Sequence, residues 1–127
     1  GKDMPIANYK KKFSEILKIM NKKKLGIIVI TKNKFIEGLI TDGDLRRIIN
    51  KNSKNKNLSN FMSKVPFVIN ENMPATKALS IMNEKKITSL LVVSDSDFKK
   101  RNKVLKGIIH IHLLLQRGIK WLKEKKD

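Results

Sequence analysis

Residues 16–31 read ILKIMNKKKLGIIVIT, and residues 78–93 read ALSIMNEKKITSLLVV. Both stretches contain the string I-M-N-x-K-K followed by an apolar run, and the second begins 62 residues after the first. A string that recurs in this way is typical of a structural unit present in two copies. The sequence therefore predicts that one unit is duplicated along the chain.

The first copy shows strand and helix signals in a fixed order. Apolar residues over 13–20 recur at helical spacing, and the apolar run after them is rich in β-branched side chains. The predicted order is β-α-β-β-α: a short extended segment at Pro5 and Ile6, a helix with its apolar face over 13–20, strands over 25–31 and 35–41 joined by the turn KNK, and a helix over 44–50.

The second copy repeats this order with one insertion. GLITDGDLRRIIN (38–50) and GIIHIHLLLQRGI (107–119) align at an offset of 69 residues, seven more than in the first half of the unit. The polar string SDSDFKKRNK (94–103) supplies the extra length, and we expect a longer hairpin loop there. The other predicted elements are an extended segment over 65–69, a helix that starts in ENMP (71–74) with Pro74 in its first turn, strands over 87–93 and 104–110, and a helix that ends at Gly118.

These units predict a paired α/β architecture. A single unit of roughly 50 residues buries too little apolar surface to be stable alone. We therefore expect two β-α-β-β-α units that pack sheet to sheet about a pseudo-twofold axis, with two related clefts between them. The predicted organisation is a first repeat over 1–50, which is truncated at its N-terminus, a linker over 51–60, a second repeat over 61–119 and a C-terminal tail over 120–127.

The net charge of +18 is carried by 25 Lys and only four Arg, spread along the whole chain. Nucleic-acid readers favour Arg and clustered basic stripes. We therefore interpret the charge as a solvated surface that attracts small anions, with nucleic-acid binding as an alternative. The absence of Cys excludes disulfides and thiolate chemistry and fits a cytoplasmic protein. No apolar run approaches the roughly 20 residues that a membrane span needs.

The stretch GLITDGDLRRII (38–49) places a hydroxyl and two carboxylates between a predicted strand and a predicted helix. At such a junction, backbone N–H groups and the helix dipole favour an anion. Thr41 is suited to cap the helix or to bind a phosphate oxygen, and Asp44 is suited to accept two vicinal ribose hydroxyls. The alternative is structural, with Thr41 or Asp42 as a cap. Glycine permits close approach and arginine suits phosphate, so the candidate ligand-binding residues are Gly38, Thr41, Asp42, Asp44, Arg46 and Arg47.

The duplicated unit, with G-x-x-T-x-x-D at Gly38, Thr41 and Asp44, resembles a pair of CBS domains, the cystathionine-β-synthase-type regulatory module. IEGLITDGDLRR (36–47) and GIIHIHLLLQRGI (107–119), together with ITSLLVV (87–93), resemble the C-terminal CBS pair of arabinose-5-phosphate isomerases. The resemblance implies that a sugar-isomerase (SIS) domain precedes the pair and holds the catalytic residues. This chain would then be a C-terminal fragment without isomerase activity, and a homo-oligomer is expected.

The resemblance also implies a ligand and a site. CBS pairs bind nucleotides or related phosphorylated molecules in the clefts between repeats, where Thr41 would contact phosphate and Asp44 ribose. The implied regulatory ligand is AMP-like, or a nucleotide-sugar such as CMP-3-deoxy-manno-octulosonate, the downstream product for lipopolysaccharide or capsule synthesis; no other cofactor is implied. The implied base pocket consists of Pro5, Ile6, Gly26 and Ile27.

The second copy departs from the family pattern H-x-H-D at its junction. Gly107, His110 and His112 match, but Leu113 stands where the family has Asp. Leucine cannot accept ribose hydroxyls, so we predict one competent ribose site, on the first repeat, and an altered or empty second cleft.

The two His side chains have three interpretations. Residues two apart share a face of a strand, so His110 and His112 could hold a metal ion. They could instead donate to a phosphate or sugar acid, or satisfy backbone groups at the helix start. Because the chain has no other His and no Cys, we expect no metal site and place both among the ligand-binding residues.

The sequence contains no convincing catalytic arrangement. Asp42 and Asp44 are adjacent in one turn, whereas acid–base catalysis needs groups opposed across a pocket. The leading hypothesis is a nucleotide-sensing regulatory module of a sugar-phosphate isomerase; the alternatives are a purely structural dimerisation module with vestigial clefts, and a nucleic-acid binder. Trp121 in GIKWLKEKKD (118–127) fits either packing on the sheets or a dimer contact.

Overall fold

The structure is a computed structural model that describes residues 4–23, 26–50, 62–63 and 67–111. The chain divides into two compact units, Gly1–Pro66 and Phe67–Asp127. Some predicted features lie outside the described residues: the linker over 51–60, His112, Leu113, the helix end at Gly118 and the tail with Trp121.

Unit 1 is a three-stranded sheet with two helices. Its strand order is β1-β2-β3, with β1 parallel and β3 antiparallel to β2. The predicted turn is a two-residue hairpin in which Asn33 and Lys34 have φ angles of 52° and 69°, the left-handed conformation that suits the twist of the flanking strands. The elements are β1 (Ile6–Asn8), α1 (Phe13–Lys23), β2 (Ile27–Lys32), β3 (Phe35–Thr41) and α2 (Asp42–Asn50).

The sheet of unit 2 has the same topology as that of unit 1. Its sheet has the order β4-β5-β6, with β4 parallel and β6 antiparallel to β5. None of the helices in the described ranges is long and apolar enough to cross a membrane. The elements are β4 (Val68–Asn70), α3 (Ala75–Lys85), β5 (Ser89–Val93), α4 (Asp95–Phe98) and β6 (Gly107–His110).

Element bounds and strand register confirm the duplication and both of its offsets. Helix α3 begins and ends 62 residues after α1, and β4 follows β1 by the same distance. On the return strands the offset becomes 69, because Leu39 pairs with Val29 while Ile108 pairs with Leu91. The additional residues therefore lie between β5 and β6, as the sequence predicts.

An asparagine closes the same turn in both units. The Asn8 side-chain oxygen accepts a hydrogen bond of 2.9 Å from the Lys10 N–H, and the Asn70 oxygen accepts one of 3.1 Å from the Asn72 N–H. Such side-chain turns reverse the chain just after a strand. The same local chemistry therefore directs the chain into α1 in unit 1 and into α3 in unit 2.

Each unit has its own apolar core between helices and sheet. The helix faces predicted from the sequence are confirmed, because Ile16 and Met20 of α1 and Ala78 and Met82 of α3 are buried. Burial of each large apolar side chain contributes on the order of 1.5–3 kcal/mol. The core of unit 1 consists of Ala7, Ile16, Met20, Ile28, Ile30, Ile40, Leu45 and Ile48, and that of unit 2 is built on Ile69, Ala78, Met82 and Leu90.

The insertion in unit 2 is more ordered than the predicted loop. It contains the short helix α4, and the side chain of Ser94 caps this helix by accepting a 3.2 Å hydrogen bond from the Asp97 N–H. The Asp97 carboxylate in turn accepts a 3.0 Å hydrogen bond from the Val104 N–H. The S-D-S-D string is a helix-start signal. The sequence prediction used only its polar composition, which indicates a loop.

Some predicted boundaries differ from the structure. Helix α2 begins at Asp42, two residues before the predicted start, and Pro74 lies just before α3 in extended conformation (ψ 146°) instead of in its first turn. Strands β5 and β6 begin later than predicted, at Ser89 and Gly107. Shifts of this size are ordinary at element ends, where local capping decides the boundary.

Candidate functional site

Thr41 and Asp44 bond to each other across the start of α2. The Asp44 N–H donates to Oγ1 of Thr41 at 3.2 Å, and the Thr41 N–H donates to Oδ2 of Asp44 at 2.9 Å. This reciprocal pattern is a capping box, with Asp in place of the more common Glu. It satisfies two backbone donors at the helix end and explains why α2 begins at Asp42.

Arg47 engages the second oxygen of the same carboxylate. Its Nη2 donates to Oδ1 of Asp44, one helical turn away. The Asp44 side chain is 12% exposed, whereas the Arg47 side chain is 64% exposed. Both oxygens of this nearly buried carboxylate therefore have partners within the chain, as a buried charge requires.

Gly26 and Asp42 bring the start of β2 against the start of α2. The Asp42 N–H donates to the Gly26 carbonyl at 3.0 Å. Gly26 has a φ of +75°, and a Cβ on it would lie 3.3 Å from Oδ2 of Asp42. This left-handed conformation favours glycine, and the bare backbone leaves the Asp42 carboxylate room above it.

The residues of the predicted base pocket lie at the end of the unit 1 sheet where β3 leads into α2. Ile27 pairs with Thr41 across β2 and β3, and Ile6 pairs with Val29 two residues further along β2. Pro5 is buried, and its carbonyl accepts a 2.8 Å hydrogen bond from the Val29 N–H. The fold therefore brings Thr41 and Asp42 together with the predicted base-pocket residues at one end of this sheet.

Gly38 contacts the chain itself. A Cβ at Gly38 would lie 2.6 Å from Sδ of Met62 and 2.8 Å from the carbonyl oxygen of Ser63. Ser63 is held there by two backbone hydrogen bonds with Leu39, of 2.8 and 2.9 Å. The close approach that the glycine permits is thus made by residues 62–63. Sequence reasoning missed these neighbours, because nothing in the strings around 62–63 marks them as partners of β3.

In unit 2, His110 occupies the position that Thr41 occupies in unit 1. His110 pairs with Ser89 at the end of β6, as Thr41 pairs with Ile27. His110 is half-buried, and the Ser89 hydroxyl is buried without a hydrogen-bond partner in the part of the chain that the structure describes. Because His112 and Leu113 lie outside the described residues, the predicted asymmetry at Leu113 stays a prediction. Among residues 4–23, 26–50, 62–63 and 67–111, no group of three or more metal-ligating side chains comes together.

The arginines of α2 differ in their surroundings. Arg46 and Arg47 are both exposed, but the carboxylate of Asp44 is bonded by Arg47. Arg46 is therefore the less constrained of the two cations. The junction as a whole offers a hydroxyl and two carboxylates at the start of α2, with two guanidinium groups further along the same helix.

Comparison with known proteins gives consistent results. The family model described as CBS domain matches residues 2–51 and 58–119. The chain is 39% identical over 120 residues to an uncharacterized protein of Rickettsia prowazekii, and 32% identical over 122 residues to the arabinose 5-phosphate isomerase KdsD of Escherichia coli K12. Each match covers 94% of this chain and 35% of the relative. The chain therefore spans about a third of the length of these relatives.

Solved structures share the fold. The structure of CBSX2 in complex with AMP superposes with a TM-score of 0.78 at 17% identity, covering 94% of this chain and 90% of that chain. The CBS domain protein PAE2072 from Pyrobaculum aerophilum, complexed with AMP, gives a TM-score of 0.75 at 16% identity, covering 95% of this chain and 92% of that one. The predicted α/β class, with a three-stranded sheet and helices in each repeat, is confirmed.

Proposed function

Because the chain belongs to the CBS domain family, we propose that it is the regulatory, nucleotide-binding pair of an arabinose 5-phosphate isomerase. The observation that carries this proposal is the 32% identity to the Escherichia coli isomerase over 94% of the chain. The parent enzyme would convert D-ribulose 5-phosphate to D-arabinose 5-phosphate for 3-deoxy-manno-octulosonate synthesis. Its catalytic SIS domain would lie outside this chain, and the assembly would be a cytoplasmic homo-oligomer.

The junction of β3 and α2 supplies the groups that a nucleotide needs. Oγ1 of Thr41 accepts from the Asp44 N–H, so its own O–H is left to donate to a phosphate oxygen. Asp44 would accept the ribose hydroxyls, as acids do in dinucleotide folds. Arg46 and Arg47 would attract the phosphate, while the apolar Ile27 would face the base.

The ligand class follows from two considerations. Two solved CBS structures with the same fold were obtained with AMP, which supports an adenine nucleotide. An enzyme that makes a precursor is also a natural target of feedback by the activated product, which favours CMP-3-deoxy-manno-octulosonate. Both are ribonucleotides, so the same phosphate and ribose contacts would serve either ligand.

Isothermal titration of the chain with AMP, CMP and CMP-3-deoxy-manno-octulosonate tests the proposal. We expect binding of at least one nucleotide, with one site per chain because Leu113 replaces the second ribose-binding acid. Asp44→Asn keeps a hydrogen-bonding side chain at the capping position but should weaken binding by about tenfold or more, the cost of one charged hydrogen bond. Glu37→Gln, at an exposed acid of β3 that is not a candidate site residue, is the matched control.

Three results would contradict this proposal: no binding at millimolar nucleotide, equal losses in the two variants, or two equivalent sites per chain. The site would instead lie in the second repeat if the chain binds one nucleotide, if Asp44→Asn retains this binding, and if replacement of Leu113 abolishes it.

A structural dimerisation module with vestigial clefts is the second candidate. It is favoured by the capping box, because the Thr41 N–H and Arg47 already occupy both oxygens of Asp44. This candidate predicts a molecular mass that rises with protein concentration in light scattering and is unaffected by any nucleotide. A nucleotide-dependent change in mass or in melting temperature would contradict it.

A further inference from the structure

The contacts of Asp44 are asymmetric in a way that bears on ligand access. Oδ2 is bonded inside the chain by the Thr41 N–H at 2.9 Å, as part of the helix cap. Oδ1 is bonded by Arg47, whose side chain is 64% exposed, while that of Asp44 is 12% exposed. The group that covers Oδ1 of the nearly buried Asp44 carboxylate is therefore the exposed guanidinium of Arg47.

The two partners of Asp44 differ in how easily they can leave. The Thr41 N–H is a backbone group fixed at the junction of β3 and α2, and its loss would open the helix start. An ion pair with a largely exposed arginine contributes little net free energy, because water competes for both charges and the side chain loses entropy in forming it. A ligand can therefore reach Oδ1 by displacing Arg47, while the capping bond to Oδ2 stays intact.

We propose that Arg47 is a displaceable latch on the ribose site, which occupies Oδ1 of Asp44 in the free protein and gives way to a ribose hydroxyl. This inference rests on the proposed nucleotide-binding function. The latch lowers the apparent affinity for any ribose-containing ligand, because part of the binding free energy is used to break the ion pair. Once released, the guanidinium is free to contact an anionic group of the ligand. The latch should therefore lower the affinity for nucleosides more than the affinity for nucleotides.

Titration calorimetry with adenosine and with AMP on the full chain separates these effects. Adenosine carries no phosphate, so Arg47→Gln should bind adenosine about two- to fivefold more tightly than the unsubstituted protein, the range expected for removal of an exposed ion pair. For AMP the gain should shrink or reverse, because the released cation is missing. Arg101→Gln, at an exposed arginine in the insertion of unit 2, is the matched control and should leave adenosine affinity unchanged.

The outcomes are distinguishable. Equal adenosine affinities in Arg47→Gln and the unsubstituted protein, or weaker binding in Arg47→Gln, overturn the latch while leaving nucleotide binding in place. Binding by Arg47→Gln alone supports the latch in its strongest form. If neither protein binds adenosine or AMP, the nucleotide proposal fails for adenine ligands and the latch falls with it.

A ligand-free measurement gives an independent check. In urea unfolding, Arg47→Gln and Asp44→Asn should shift the midpoint non-additively, since each removes one partner of the same ion pair. Additive shifts would show that the pair is absent in solution and would overturn the latch whatever the calorimetry finds. The pair Arg101→Gln and Asp44→Asn, which lie in different units and should be additive, serves as the reference cycle.

Discussion

Gly38 shows how one residue can be recognised in sequence while its role depends on a distant segment. The G-x-x-T-x-x-D spacing marks Gly38 as a point of close approach. What approaches it is the chain itself, because Met62 Sδ and the Ser63 carbonyl lie where a Cβ would project. The segment at 62–63 is remote in sequence from β3, so periodicity and spacing do not connect the two. A glycine in a motif thus identifies a crowded position without identifying the neighbour.

The crowding at Gly38 makes a quantitative prediction. Gly38→Ala should destabilise the protein by about 1–3 kcal/mol, since overpacking forces backbone or side-chain shifts. The counterpart position in unit 2, Gly107, is the matched control, because its Cβ would lie 3.8 Å from Cβ of Val92, an ordinary contact. Chemical denaturation of Gly38→Ala and Gly107→Ala measures both free energies of unfolding.

Adding Met62→Ala should recover only part of the loss at Gly38, because the Ser63 carbonyl would still lie 2.8 Å from the new Cβ. Equal stabilities of Gly38→Ala and Gly107→Ala would contradict the packing of residues 62–63 against β3. Full recovery in the double variant would show that the side chain of Met62, and not the backbone of Ser63, sets the limit.

At the scale of elements, the sequence predicted what depends on periodicity and repetition. Apolar spacing placed α1 and α3, and the two offsets agree with the equivalent pairs Val29–Leu39 and Leu91–Ile108. Local side-chain chemistry decided the rest. The Thr41–Asp44 box moved the start of α2 forward to Asp42, since capping bonds, and not hydrophobic periodicity, fix a helix end.

The insertion between β5 and β6 illustrates the same limit. Its composition predicts a polar loop, yet charged hydrogen bonds organise it. The Val104 N–H bonded to Asp97 holds the pKa of this carboxyl below its ordinary value of 3.8. In the same way, the hydrogen bond from Lys106 is the main cause that lowers the pKa of Glu71 below 4.5. Composition alone does not predict which of the many polar groups form hydrogen bonds with each other.

These pKa shifts predict how the insertion responds to acid. A carboxyl with a lowered folded-state pKa stabilises the fold above its ordinary pKa, and the stabilisation is lost as pH falls through the folded value. The Val104 amide should therefore lose hydrogen-exchange protection, and its proton resonance should shift, as the pH is lowered below about 4. Asp97→Asn should abolish this titration, while Asp95→Asn, in the same helix, should retain it. A Val104 amide that titrates identically in both variants would contradict the assignment.

The whole molecule is dominated by its positive charge. The chain carries 29 basic and 11 acidic residues, so like-charge repulsion acts against the compact state. Among the described residues, ion pairs such as Lys11–Glu15 and Lys100–Asp97 are formed by exposed or partly exposed side chains, and such pairs contribute little. Repulsion between the unpaired lysines should therefore outweigh attraction within the observed pairs.

Salt should accordingly stabilise this protein. Raising sodium chloride from about 20 mM to about 500 mM shortens the screening length severalfold, which weakens the repulsion more than the few exposed attractions. We expect the melting temperature to rise by a few degrees, on the order of 1 kcal/mol, with no ligand present. A melting temperature that falls with salt would show that ion pairs outweigh repulsion. The same titration with a DNA oligonucleotide addresses the nucleic-acid alternative, because a true phosphate-binding surface would lose affinity steeply over this range.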